Sequence, residues 1–195
     1  MQTRRGIIAG GASLFAAGCA SAPPAAAAPR AVERFAAIEA RLGGRIGVCA
    51  IDTGSDAEIG HRMQERFAMA STFKWLLAAG VLKRCEQGLN LDATMYYTVS
   101  DILPTSPVTE ASIDAANNMG ALSFEQLCEA IVTVSDNTAA NLLLVPMFGP
   151  EGLTSFLRES GDAHTRLDRR EPELNENRTG DARDTTIPHA MARTL

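Results

Sequence analysis

Residues 71–88, Ser-Thr-Phe-Lys-Trp-Leu-Leu-Ala-Ala-Gly-Val-Leu-Lys-Arg-Cys-Glu-Gln-Gly, form the stretch on which the reading of the fold turns. Phe73, Leu76, Leu77, Val81, Leu82 and Cys85 make it apolar nearly all round and Gly88 supplies a stop, which predicts a helix from Ser71 to Gln87. Such a helix belongs in the middle of a domain. Its first turn, Ser71-Thr72-Phe73-Lys74, is an S-x-x-K pattern that sets the hydroxyl at the positive end of the helix dipole and brings Lys74 round on the same face. A serine hydroxyl is a poor nucleophile until a neighbour accepts its proton; a lysine held close can do that or stabilise charge during the transfer. A plain helix cap explains Ser71 equally well.

Before this helix, Val32, Phe35, Ile38 and Leu42 recur at helical spacing and Gly43-Gly44 ends the segment. Arg45 to Asp52 and Ala57 to His61 read as two strands around a Thr53-Gly54-Ser55-Asp56 turn, and these are the only good strand candidates. After it, Ser123 and Gln126 form a capping-box pattern for a helix that buries Leu127, Ile131 and Val132 and breaks at Ser135-Asp136-Asn137. Further helices are predicted through Ala139–Val145 and through Leu153, Phe156 and Leu157. Asp162 to Thr186 is a long charged segment without periodicity, the kind of loop that usually carries function. Pro188 then opens a last helix. Two strands alone make no stable sheet, so further strands are expected past Leu195.

Two polar groups in the second half accompany the S-x-x-K pattern. Ser135-Asp136-Asn137 sits between two predicted helices, where a second hydroxyl and an amide could face the same cleft, although a helix cap would use the same residues. Arg169-Arg170-Glu171-Pro172-Glu173-Leu174-Asn175 places a carboxylate and an amide four residues apart in the charged loop, able to hold a water between them; a solvated surface loop is the bland alternative.

At the other end, residues 1–28 have the organisation of an export signal: Arg4 and Arg5, an apolar run from Gly6 to Ala17 too short to span a bilayer, then small residues. The adjacent arginines resemble a twin-arginine signal, and Ala16-Ala17-Gly18-Cys19 resembles a lipoprotein box, which would attach the chain to a membrane through a lipidated Cys19; ordinary cleavage near Ala28 is the alternative. Residues 20–30 read as a tether. The formal charge of −5, from 18 basic and 23 acidic residues, argues against a nucleic-acid partner. Cys49, Cys85 and Cys128 form no C-x-x-C pair; an oxidising compartment would permit one disulfide that spacing alone does not nominate, and three separated buried thiols are the blander reading. His61, His164 and His189 are scattered, with no metal-ligand spacing.

Taken in order, S-x-x-K, S-D-N, E-x-x-L-N and Asp184-Thr185-Thr186-Ile187-Pro188 closely resemble the class A serine β-lactamase family. So do Phe67-Ala68-Met69-Ala70, Pro107-Val108-Thr109-Glu110, Asn137 to Leu142 and Thr165 to Arg169. The resemblance runs from about Val32 to Leu195. It implies a two-domain α/β fold shared with penicillin-binding proteins, with residues 29–62 giving a helix and hairpin to a sheet domain, residues 63–195 forming most of an all-α domain, and the active site at their junction.

By the same resemblance, Ser71 attacks a β-lactam carbonyl and its own N–H contributes one oxyanion donor, while Lys74 lies beside it. Glu171, with Asn175, positions and deprotonates the deacylating water, and whether Lys74 or Glu171 takes the proton during acylation is left open. Ser135 relays a proton to the departing nitrogen, Asn137 holds Lys74 and the substrate's side-chain amide, and Arg169 pairs with Asp184 to close the loop, a contact of small value if it lies on the surface. Neither metal nor cofactor is implied. A periplasmic or secreted monomer is expected, and because the family's K-T-G strand is expected beyond Leu195, the 195 residues as they stand are expected to be inactive. Departures include Ala78 where a disulfide partner for Cys128 would stand, Ala70 where a carbapenem-hydrolysing branch has cysteine, Thr105 in place of an aromatic gatekeeper, and a lengthened stretch from Ala111 to Leu122. The rival readings are a penicillin-binding D,D-carboxypeptidase or transpeptidase, and a non-catalytic fragment or drug sensor.

Overall fold

Helix α2, Phe73–Glu86, entered through a 3-10 turn at Ala70–Thr72, is the axis around which the helical part is built. The computed structural model describes residues 27–194; Cys19 and the segment expected to be an export signal therefore fall outside the described residues, apart from Ala27 and Ala28. Phe73, Leu76, Leu77 and Val81 are at most 1% exposed, and α2 packs against α4 (Phe124–Thr133), α5 (Asn137–Leu143) and α6 (Pro150–Glu159). Burying each such leucine stabilises the fold by about 2 kcal/mol. Leu82 breaks the expected all-round burial, since it is 52% exposed.

The capping box at Ser123 is present in both halves: Ser123 Oγ accepts from Gln126 N at 3.2 Å, and Gln126 Oε1 accepts from Ser123 N at 2.9 Å. The buried face of α4 is Phe124, Leu127, Ala130 and Ile131, whereas Val132, expected inside, faces solvent.

Helix α1, Ala27–Leu42, starts within the segment expected to be tether. It packs on the antiparallel hairpin of β1 (Val48–Asp52) and β2 (Ala57–His61), whose turn is the one expected and whose first strand starts three residues later than expected. Val32, Ile38 and Leu42 stay substantially exposed, because α1 is anchored through a different residue. The Glu39 carboxylate accepts from Arg62 Nε at 2.7 Å and Nη2 at 2.6 Å and from Ile46 N at 3.1 Å, and it contacts His61 Nε2 at 3.0 Å. Helix α7, Pro188–Thr194, packs on β1. No helix among the described residues is long and apolar enough to cross a membrane.

Residues 63–195 are not all-α. Strand β4, Thr94–Thr98, pairs antiparallel with β6, Met119–Ser123, which also pairs with the short β5, Ile113–Asp114. The lengthened stretch after α3, Pro107–Ala111, is thus a hairpin that widens this sheet. Gly120 permits the pairing: a Cβ there would stand 2.3 Å from the Tyr97 ring. A two-residue pair, β3 (Phe67–Ala68) with β7 (Thr185–Thr186), ties the chain before Ser71 to the end of the charged loop.

Candidate active site

Each side chain of the site is delivered by a local device. Strand β3 and the bond from Met69 N to Asp184 O, 2.9 Å, fix the approach to α2, and Ala70 turns the chain with φ +44°. Ser71, in the 3-10 turn that follows, is exposed, whereas Lys74 one turn on is 2% exposed. A buried ammonium needs acceptors. Lys74 Nζ donates to Ser135 O at 2.6 Å, to Ser135 Oγ at 3.1 Å and to Asn137 Oδ1 at 2.6 Å, and lies 3.3 Å from Glu171 Oε1. Burial pushes the ammonium below its ordinary range, against the opposing pull of Glu171 and Asp136.

Ser135 reaches Lys74 because its backbone is left-handed, φ +60°, between α4 and α5. The helix-cap alternative proves to be a companion rather than a rival: Asp136, fully buried, caps α5 through Ala139 N at 2.8 Å and accepts from Val108 N and Thr109 N, each at 3.0 Å. One carboxylate thereby joins the S-D-N segment to α3. Asn137 is held by its Nδ2 donating to Pro104 O at 2.9 Å and its N to Thr105 O at 3.0 Å.

The charged loop is closed by Arg169 and Asp184, whose Nε and Oδ2 are 2.5 Å apart. This is not a surface pair, since Asp184 is 1% exposed and its Oδ1 also accepts from Asp168 N at 2.8 Å and Arg169 N at 2.9 Å. Inside the loop, Glu171 is buried and Asn175 Nδ2 donates to its Oε2 at 2.6 Å. Oε1 accepts no hydrogen bond among the described residues, Lys74 being near enough for ion pairing without hydrogen-bond alignment.

Lys74, Ser135, Asn137, Glu171 and Asn175 therefore meet in one network beside Ser71. The sequence offered Asp136 only as a helix cap and gave Asn141 no role. Asn141 was findable: it lies four residues after Asn137 on α5, hence on the same face. The three histidines stay apart, His61 on Glu39 and His189 on Glu58, and among the described residues no group of side chains could hold a metal. The cysteines are free and half-buried rather than fully buried, and burial pushes the Cys128 thiol up to about 11, Cys85 adding to the effect.

Buried Lys74, one turn after the exposed Ser71, thus links an S-D-N turn to the carboxylate of a charged loop. A sequence model described as the beta-lactamase enzyme family matches residues 30–195, and the chain belongs to that family. Beta-lactamase L2 of Stenotrophomonas maltophilia is 49% identical over 177 residues, 90% of this chain and 56% of that protein. Beta-lactamase AST-1 of Nocardia asteroides is 45% identical over 160 residues, 82% of this chain and 50% of that one. Among solved structures, the ancestral class A β-lactamase of Gram-negative bacteria matches with TM-score 0.80 and 52% identity, covering 84% of this chain and 62% of that one. The β-lactamase of Desulfarculus baarsii matches with TM-score 0.81 and 47% identity, covering 86% and 61%. The chain spans about half the length of the curated relatives it matches.

Proposed function

We propose that the protein hydrolyses β-lactam antibiotics through an acyl-serine intermediate, without a cofactor. The observation that carries the reading is the position of Lys74 Nζ, within 3.3 Å of Ser135, Asn137 and Glu171 at once. Ser71 Oγ attacks the lactam carbonyl, its proton leaves to Lys74 or Glu171, and the oxyanion is met by the Ser71 N–H. When the C–N bond breaks, Ser135 Oγ, hydrogen-bonded to Lys74, passes a proton to the nitrogen. Water then attacks the ester, Glu171 takes its proton, and Ser71 leaves as the hydroxyl it began as. The unpaired Oε1 of Glu171, beside an Oε2 already held by Asn175, supports that second role.

The test is intact-mass spectrometry with a penicillin. In a protein that also carries the family's K-T-G strand, the unmodified form is expected to show little adduct at steady state, Glu171→Ala to accumulate one covalent adduct, and Ser71→Ala to show none. A persistent adduct on the unmodified protein would favour the carboxypeptidase or transpeptidase reading, against which the Glu171 and Asn175 pair stands.

The same proposal places the protein outside the cytoplasm, in the periplasm or secreted, as a monomer exported by residues 1–28. Cys19 is the residue through which it would be lipid-anchored.

A further inference from the structure

The loop that carries Glu171 has a second side. Its tip, residues 177–182, stands against the start of the hairpin and the link from β2 to β3, and with them lines a half-open pocket of about 480 Å³. This is not the catalytic cleft, because none of Ser71, Lys74, Ser135 or Glu171 lines it. Arg45 and Arg66 reach it from the frame, and Arg178, Thr179 and Gly180 from the loop tip.

The positive charge there is incompletely matched. Of the two carboxylates on the wall, Asp181 is taken by Arg183, and Glu65 is taken by Arg62 at 2.8 Å with Arg45 more loosely at 3.4 Å. Arg178 pairs with Glu176, whose carboxylate is shared with Arg169. Arg66 forms no ion pair among the described residues. Its Nη1 donates to the His164 carbonyl at 2.9 Å and to Thr185 Oγ1 at 3.0 Å, which leaves Nε and Nη2 without a protein acceptor among them. Guanidinium forks recognise tetrahedral oxyanions by paired, charge-assisted hydrogen bonds. Here Arg45, Arg66 and Arg178 line one space with Thr179 and Thr185, in a chain whose formal charge is −5; Arg45 also donates to Arg66 O at 2.7 Å and lies over the Phe67 ring, which leaves Arg66 the least committed of the three.

We propose that this pocket binds a phosphate-type oxyanion, which bridges Arg45 and Arg66 on the frame to Arg178 on the loop tip. Occupancy then holds the loop from behind, on the side opposite Glu171. The oxyanion is either free inorganic phosphate or the headgroup of an anionic phospholipid.

Inorganic phosphate titrated into isotope-labelled protein is expected to give saturable amide shifts at Thr179, Gly180 and Asp181. The melting temperature should rise by a few degrees over sodium chloride of equal ionic strength. Arg66→Gln should abolish the saturable shifts. Because Arg66 also supports His164 and Thr185, Arg178→Ser, at a side chain 69% exposed, provides a variant with little folding cost and should weaken phosphate by about ten-fold. Phosphatidylglycerol vesicles, compared with phosphatidylcholine, distinguish a headgroup from the free ion; the same amides responding to either source support the site. Shifts confined to Ser71, Lys74 and Ser135, non-saturating shifts, or unchanged affinity in both arginine variants would overturn it.

Discussion

The side-chain amide of Asn141 grips the backbone of Glu171 at both ends, accepting from its N–H at 3.0 Å and donating to its carbonyl at 2.9 Å. Helix α5 thus positions the loop carboxylate, although Asn141 touches neither of its oxygens. Asn141→Ala is expected to slow deacylation about 10²-fold, the scale of a small misplacement of a reacting group, and to slow acylation less. Rapid-quench measurement of both steps checks this, because a merely destabilised protein would lose them in proportion.

Asp184 holds its loop by charge and by two backbone N–H groups, so two substitutions separate these contributions. Asp184→Ala strands the buried Asp168 and Arg169 N–H groups and removes the partner of Arg169 Nε, leaving that guanidinium held by Glu176 alone, and is expected to cost about 3 kcal/mol of stability. Asp184→Asn keeps an acceptor for the backbone and should cost less. Denaturant unfolding of the two variants measures the difference; equal losses would mean that the ion pair alone matters.

Acid should destabilise the protein partly through Asp162. Burial pushes this carboxyl up, but hydrogen bonds from Thr165, His164 and Thr194 outweigh burial and leave it below its ordinary range. A carboxyl whose folded value is depressed adds stability above its unfolded value, about pH 4, and that stability is lost as pH falls toward the folded value. Asp168 is shifted the same way, its burial outweighed by Arg166 and the Asp184 N–H. Melting curves of Asp162→Asn should start lower at neutral pH and fall less steeply below about pH 4.

Local signals in the sequence translated directly into structure. The turn at residues 53–56, the capping box at Ser123, Gly43 at φ +71° after α1 and Pro188 opening α7 all act within a few residues. What depended on partners was less legible. The apolar periodicity of α1 named Val32, Ile38 and Leu42, yet the helix is oriented by Glu39 and its contacts with Arg62 and His61, more than twenty residues away. Strand β4, Thr-Met-Tyr-Tyr-Thr, has the β-branched and aromatic residues of a strand, although residues 45–61 hold the only strands predicted, whereas β6, Met-Gly-Ala-Leu-Ser, is a strand because it pairs on both sides. For the site, the motifs are weak singly, and it is their order and the family resemblance that nominate Lys74, Ser135, Asn137 and Glu171, which the fold brings together. That Asp136 also ties α3 to the S-D-N turn, and that Asn141 holds the loop backbone, depends on packing that brings α3, α5 and the loop together.

Glu171→Gln offers a way to separate the two candidate bases. Glu171 raises the affinity of Lys74 for its proton, against burial, which lowers it. Removing the carboxylate charge therefore moves Lys74 further down, and its neutral form becomes populated at lower pH. If neutral Lys74 can accept the Ser71 proton, acylation of Glu171→Gln persists, with its rising limb displaced toward lower pH, while deacylation is lost. If acylation requires the Glu171 carboxylate, the variant instead loses about 10²–10⁴-fold in acylation with no displaced limb. The acceptors around Nζ are supplied by Ser135 and Asn137, which the substitution leaves in place, so the displaced limb is the expected outcome, read from the pH dependence of adduct formation.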